Sequence, residues 1–377
     1  MNKLVQEMSW NKANLAAHRS DYRKIINRIQ RLPSPYIGNK KKLLPSIASF
    51  IEKHNLEFDS FLDAFSGSAI VSLLMKAMGK RVIANDVLIS SYYQAVALVQ
   101  NNEVKLTDDV IDYILHHKNK KESKYIQSRW TGIRFTEKEA KTLDMMLDNL
   151  RYFYGEYIPA IAFSAIKLVC MKLPFGFIDR SVDIYNHRKK QIKAYGKGSQ
   201  NHDRRIGIYY DDHLNLNFDM WFPKYVKKLQ MGIISSKVGC EAENYDIIDS
   251  LKKNNVDCVY FDPPYGGSAS DYGYLYEFFE ECLHLTHLRT KDYKIGLQRF
   301  SDKTNYEENF IEMLEHASHI PIWIFSYNDS SWNGLEHIIS LIKNFRTRVE
   351  IETIPYPYKY RNKTNKIGNE HLILARN

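Results

Sequence analysis

Ser60-Phe-Leu-Asp-Ala-Phe-Ser-Gly-Ser68, followed one helix length later by Arg81-Val-Ile-Ala-Asn-Asp86, decides the fold. Ser60 to Phe65 has the short pattern of a buried strand, and Ser66-Gly67-Ser68 opens a turn. Ala69 to Met78 is predicted to be helical, with Gly79 placed to end it as a C-cap does. Arg81 to Asp86 reads as a second strand. Strand, glycine turn, helix and strand make one right-handed βαβ unit, the building block of an open α/β sheet.

The crossing from strand to helix at Asp63 to Ser68 is where such sheets bind nucleotides. Gly67 lets backbone come close to a ligand, and the helix N-terminus offers unpaired N–H groups. Asp86 closes the next strand about 20 residues after Gly67, the spacing at which a carboxylate reaches the two hydroxyls of an adenosine ribose. The spacing suits any adenosine-containing cofactor.

Working outward, residues 1–32 read as a polar, basic helical lead-in with Ile25, Ile26 and Ile29 on one face, ended by Pro33 and Pro35. Tyr36 to Ile51 reads as a turn and an amphipathic helix carrying Leu43, Leu44, Ile47 and Phe50. From about 101 to 240 the βα rhythm is lost. A capping box, Thr136 to Glu139, leads into Leu143, Met146 and Leu150, and Arg180 to Arg205 is loop-like and basic. The rhythm returns with a strand from Asp257 to Asp262, another from Pro321 to Tyr327, and a closing pair around Val349 to Ile354 and His371 to Ala375. Two blocks, 33–100 and 241–377, are thus expected to build one sheet around an inserted domain at 101–240.

Composition sets the outer bounds. The 377 residues are enough for a catalytic domain with a large insertion, and 44% hydrophobic with 26% charged residues is ordinary for a soluble protein. No apolar run approaches a membrane span, and the N-terminus lacks a signal layout, so a cytoplasmic protein off the membrane is expected. Cys170, Cys240, Cys258 and Cys282 lie far apart without CxxC spacing, which points to buried reduced thiols and to no metal site. A net charge of +9 suits a polyanionic partner. The 26 tyrosines suit stacking on unpaired bases, although most aromatic side chains serve a core.

The sharpest chemical signal is Asp262-Pro-Pro-Tyr265 at the end of its strand. Two prolines remove donors and fix the backbone, leaving the Asp262 carboxylate and the Pro263 carbonyl as paired acceptors. An exocyclic amine needs two such acceptors. The N6 lone pair of adenine is delocalised into its ring, and hydrogen bonds from both N–H groups favour a pyramidal, attacking nitrogen. Tyr265 offers a face on which an extruded base can stack.

With these motifs in order, the chain resembles the Dam-like (D12 class) DNA adenine methyltransferases from Pro35 to Asn377, most of the insertion excepted. The resemblance implies a mixed, mainly parallel, seven-stranded Rossmann-like methyltransferase sheet dependent on S-adenosylmethionine, interrupted by a target-recognition domain. It implies methyl transfer to N6 of a flipped adenine in double-stranded DNA, within a restriction-modification system whose endonuclease acts separately. Pro35-Tyr-Ile-Gly-Asn-Lys40 is similar to the family's N-terminal cofactor motif, with Tyr36 and Lys40 matching positions near the methionine part. Asp63, Phe65, Gly67 and Ser68 fall in the glycine motif, where Ala69 stands in place of a frequent second glycine and implies a tighter pocket. Glu243-Asn-Tyr-Asp246 resembles the acidic motif that meets the cofactor adenine, Asp246 being the matching carboxylate. Asp262, Pro263, Pro264 and Tyr265 match the catalytic motif, with Asp262 also bordering the cofactor. Ser326-Tyr-Asn328 and Asn369 to Leu374 resemble later motifs of the same fold. Within the insertion, Lys172, Arg180, Arg188, Lys189, Lys190, Arg204 and Arg205 fall where family members meet DNA.

Four other readings compete: N4-cytosine methylation, RNA methylation, methylation of a protein amide, and a non-catalytic DNA-binding protein of the same fold. Aspartate at 262, where serine is commoner in the cytosine enzymes, favours adenine. The basic insertion favours duplex DNA, and intact Asp262, Asp86 and Gly67 favour catalysis.

Overall fold

The computed structural model describes residues 23–34, 38–119, 123–172, 216–264, 272–285, 299–300, 302–329, 331–359 and 365–377. Seven strands form one sheet in the order β3-β2-β1-β4-β5-β7-β6. They are β1 (Ser60–Asp63), β2 (Arg81–Asn85), β3 (Glu241–Glu243), β4 (Cys258–Phe261), β5 (Ile322–Asn328), β6 (Arg348–Lys359) and β7 (Asn365–Arg376). The first five run parallel, whereas β7 is antiparallel to both β5 and β6. This is the mixed, mainly parallel seven-stranded sheet that the sequence predicts. The closing hairpin is longer than its apolar core suggests, with twelve residues in each strand.

The βαβ unit folds as read. Helix α3 (Ile70–Ala77) connects β1 to β2 and is buried along its length, and Gly79 ends it at φ +81°. Before β1, the helix over 23–30, α1, buries Ile26 and Ile29. Helix α2 (Leu44–Lys53) turns Leu44, Ile47, Phe50 and Ile51 inward. Helices cover both sheet faces because successive strand residues point to opposite sides. Phe61, Tyr260 and Ile324 pack with α1, α2 and α3. Leu62, Phe261 and Phe325 pack with α10 (Ile247–Lys253), α12 (Tyr306–His316) and α13 (Leu335–Lys343).

Between β2 and β3 the described residues form helices: α4 (Ile89–Ala95), α5 (Asp108–His116), α6 (Tyr125–Trp130), α7 (Glu137–Asn149), α8 (Tyr157–Cys170) and α9 (Phe218–Gln230). Both halves of the Thr136/Glu139 capping box are formed at the start of α7. These helices share a core that also takes in Tyr276, Phe279 and Cys282 of α11 (Tyr272–Leu285). All four cysteines are buried and unpaired, and burial pushes the Cys170 thiol up to about 12. Among the described residues no helix is long and apolar enough to cross a membrane.

Candidate active site

β1 pairs with β2 on one side and β4 on the other, so the connections leave it in opposite directions. A crevice at the carboxyl ends of the strands is a consequence of that reversal. Asp63 ends β1, Asp86 follows β2, and Asp262 follows β4. The structure therefore brings together three carboxylates that the sequence singles out.

Asp86 is 7% exposed. Its Oδ2 accepts the Gly67 N–H at 2.7 Å, and its Oδ1 accepts the Leu88 N–H at 2.8 Å. Burial lifts its pKa to about 6, against the pull of these two N–H groups and the Lys167 ammonium. Each carboxylate oxygen has two lone pairs, so beside its one donor among the described residues each has room for a further one. Gly67 has φ +48°, a left-handed conformation natural to glycine. Asn85 secures the adjoining loops, donating to Ala64 O and Tyr245 O and accepting from Tyr245 N.

Asp63 faces its own βαβ unit. Its Oδ2 takes the Ser72 N–H at 3.1 Å and the Ser72 hydroxyl at 2.6 Å. It thus caps α3, whose N-cap, Ala69, has no side-chain oxygen to do so. Burial, helped by the charges of Asp262 and Asp86, lifts the Asp63 pKa to about 7 against the Ser72 hydrogen bonds. Ala69 has φ +57°. The residue at the position of the frequent second glycine therefore adopts a glycine-like backbone despite its methyl group. Ser68 gives its carbonyl to the Gln94 amide, and Phe65 packs edge-on to Phe300 at 5.6 Å.

Asp262 is half-sheltered, at 16% exposure, and forms an ion pair with buried Lys40 at 2.8 Å. Lys40 Nζ also donates to Gly38 O at 2.9 Å. The loop before α2 is thereby fastened to the end of β4. This pairing is not foreseen in the sequence, where Lys40 is matched to the cofactor's methionine part. Asp246 likewise has protein partners: its Oδ1 caps α10 through Ile248 N, and its Oδ2 takes Arg299 Nε at 3.0 Å. Arg299 also binds Glu312 at 2.6 Å. Asn244 donates to the carbonyls of Asp86 and Val87. Lys40 apart, these partners lie in none of the quoted motifs except Asn244, so no local signal marks Arg299 or Glu312.

Lys172 sits at the end of α8 with its Nζ 3.7 Å from the Trp221 ring centroid, and Lys224 stands 4.6 Å from the same ring. Burial and the charges of Lys224 and Lys228 lower the Lys172 pKa to about 8. Tyr36, Tyr265, Arg180, Arg188, Lys189, Lys190, Arg204 and Arg205 lie outside the described residues.

A seven-stranded sheet of this order, with acidic groups at three adjoining strand ends and Asp-Pro-Pro after β4, defines a Rossmann-like methyltransferase. The profile of the D12 class N6 adenine-specific DNA methyltransferases matches residues 36–323, and the chain belongs to that family. It is 26% identical over 339 residues to the type II methyltransferase M2.HphI of Haemophilus parahaemolyticus, covering 90% of this chain and 95% of that protein. It is 22% identical over 363 residues to the modification methylase StsI of Streptococcus sanguinis, covering 87% of this chain and 49% of that protein.

Proposed function

We propose that the chain transfers a methyl group from S-adenosylmethionine to adenine N6 at a specific site in double-stranded DNA. The observation that carries this reading is Asp262, held by Lys40 at the end of β4, beside the Gly67/Asp86 turn at the switch point of the sheet. The residues present fit the cofactor. Ser66 Oγ is buried in the glycine motif with no hydrogen-bond partner among the described residues, and both Asp86 oxygens have room for a further donor beside those described. Asp86 would hold the ribose, Gly67 and Ser68 would line the turn, Phe65 and Asp246 would border the adenine, and Tyr36 and Lys40 the methionine part. When bound, S-adenosylmethionine supplies an electrophilic methyl group on a sulfonium.

The chain's own contribution is orientation and hydrogen-bond acceptance. Asp262 accepts one N–H of the target amine and the Pro263 carbonyl accepts the other, so the nitrogen lone pair is turned out of conjugation. Pro264 keeps the backbone rigid there, and Tyr265 stacks on the flipped adenine. Segment 101–240 acts as the recognition domain, with Lys172, Arg180, Arg188, Lys189, Lys190, Arg204 and Arg205 supplying phosphate and base-edge contacts. The names of the two relatives support a place in a restriction-modification pair, in which a separate endonuclease cuts the unmodified site.

The test is to incubate the purified protein with plasmid DNA and methyl-labelled cofactor, digest to nucleosides and map the modified positions. N6-methyladenine in one sequence context is expected. Label in N4-methylcytosine, or none in DNA, would overturn the proposal.

A further inference from the structure

The turn that carries Asp86 is held from two distant parts of the chain. Leu88 N–H goes to Asp86 itself. The next two amides, Ile89 and Ser90, donate to the carboxylate of Glu280 on α11 at 2.9 and 3.0 Å. The Ser90 hydroxyl accepts from Lys167 Nζ on α8 at 3.2 Å. None of the three reaches solvent: Glu280 is 1% exposed, Lys167 2% and Ser90 0%. The Lys167 ammonium also lies 5.1 Å from the Tyr276 ring centroid and 5.7 Å from that of Phe279, both on α11.

A pair of buried opposite charges is a poor device for stability alone, since well-packed apolar side chains of similar volume commonly do as well or better. Lys167 and Glu280 act on each other through space and meet at Ser90, whose hydroxyl accepts from Lys167 Nζ and whose N–H donates to Glu280, so both end on the backbone next to Asp86. We propose that Lys167 and Glu280 are positioning residues for Asp86. Glu280 fixes the first turn of α4, and Lys167 bridges that turn to α8 while supplying the positive charge that keeps the Asp86 carboxylate ready to accept ribose hydroxyls. The inference rests on the reading that Asp86 holds the cofactor ribose.

Electrostatics agree with the geometry. Lys167 opposes the rise that burial imposes on Asp86. Burial lowers the Lys167 ammonium in turn, and Glu280 and Asp86 hold it up. Among the described residues, the Lys167 ammonium of α8 acts on Asp86, Asp86 in turn acts on Asp63 of β1, and Glu280 of α11 acts on Lys167.

The experiment measures cofactor affinity by calorimetry from pH 5 to 9, together with DNA affinity, for the full chain and for Lys167→Met. Loss of the ammonium should move the midpoint of the cofactor pH profile upward by about one unit. That makes binding about twofold weaker at pH 7 and nearly tenfold weaker at pH 5, recovers it at high pH and leaves DNA affinity unchanged. A folded Lys167→Met protein with an unmoved midpoint would overturn the proposal. Should that variant not fold, Ser90→Ala removes the bridging hydroxyl and no charge; weaker cofactor binding by about two- to threefold is expected, and unchanged binding overturns the proposal. Asp86→Asn, measured alongside, separates the two levels. If it binds cofactor normally, the ribose reading itself fails, whereas if it loses binding while Lys167→Met does not, only the positioning role fails.

Discussion

The ends of β2 and β4 hold their carboxylates in opposite ways. Asp86 is gripped by backbone N–H groups, one two residues away and one from Gly67 in the same βαβ unit. Asp262 is gripped by a side chain, Lys40, from a loop near the other end of the chain. A backbone donor is removed only by proline, so the β2 end follows largely from the fold itself. A side-chain donor can be changed one residue at a time, so the β4 end is adjustable. The β2 carboxylate is gripped locally, with side chains of α8 and α11 bracing the turn beyond it, whereas the β4 carboxylate depends directly on long-range tertiary contact.

The largest effect should come from the adjustable half. Asp262→Ala keeps β4 but deletes one of two acceptors for the amine, and the single-turnover rate should fall on the order of 10²–10³-fold. Cofactor and DNA binding should persist in the same protein. A folded variant methylating at near wild-type rate would remove the central role of Asp262.

Next in size is the fixed half. Asp86→Ala loses charge-assisted bonds to the ribose, roughly 1.5–3 kcal/mol, and should weaken cofactor binding at least about tenfold. In the proposed site the ionised carboxylate would be the binding form, and burial has raised its pKa to about 6. Affinity should therefore be full well above that value and be lost as pH falls through it, by about tenfold per unit. Cofactor affinity that is flat between pH 5 and 8 would count against Asp86.

Lys40→Met separates two roles for one lysine. If its work is to hold Asp262, the single-turnover rate should drop by about tenfold through misplacement of the acceptor, with cofactor affinity little changed. The reverse pattern, weaker cofactor binding at an undiminished rate, assigns Lys40 to the methionine part instead.

How much of this is legible in the sequence follows the same division. The βαβ unit, the capping box and the place of Asp86 after the second strand are written in short-range spacing, and spacing is what a sequence displays. β3 escapes notice because Glu241-Ala-Glu243 is a three-residue edge strand without an apolar run. The partners of Asp262 and Asp246, Lys40 and Arg299, are set by tertiary packing. A lone lysine or arginine carries no periodic mark of what it will meet.

The smallest effect concerns Ala69. Its φ of +57° costs an L-residue roughly 1 kcal/mol that glycine avoids, partly offset by the buried methyl and by glycine's freer unfolded chain. Ala69→Gly should raise the melting temperature by about 1–3 °C. A fall of several degrees would show that the methyl's packing outweighs the backbone strain.

The Lys40–Asp262 pair also shapes what a distant polyanion meets. A lone carboxylate at the mouth of the crevice would repel phosphates over about a Debye length, some 8–10 Å in ordinary salt. With an ammonium 2.8 Å from it, the mouth presents a short dipole whose field dies away faster than that of a single charge. The approach of the substrate is then governed by the chain's overall excess of nine positive charges, and the acid that the chemistry requires is met only at contact.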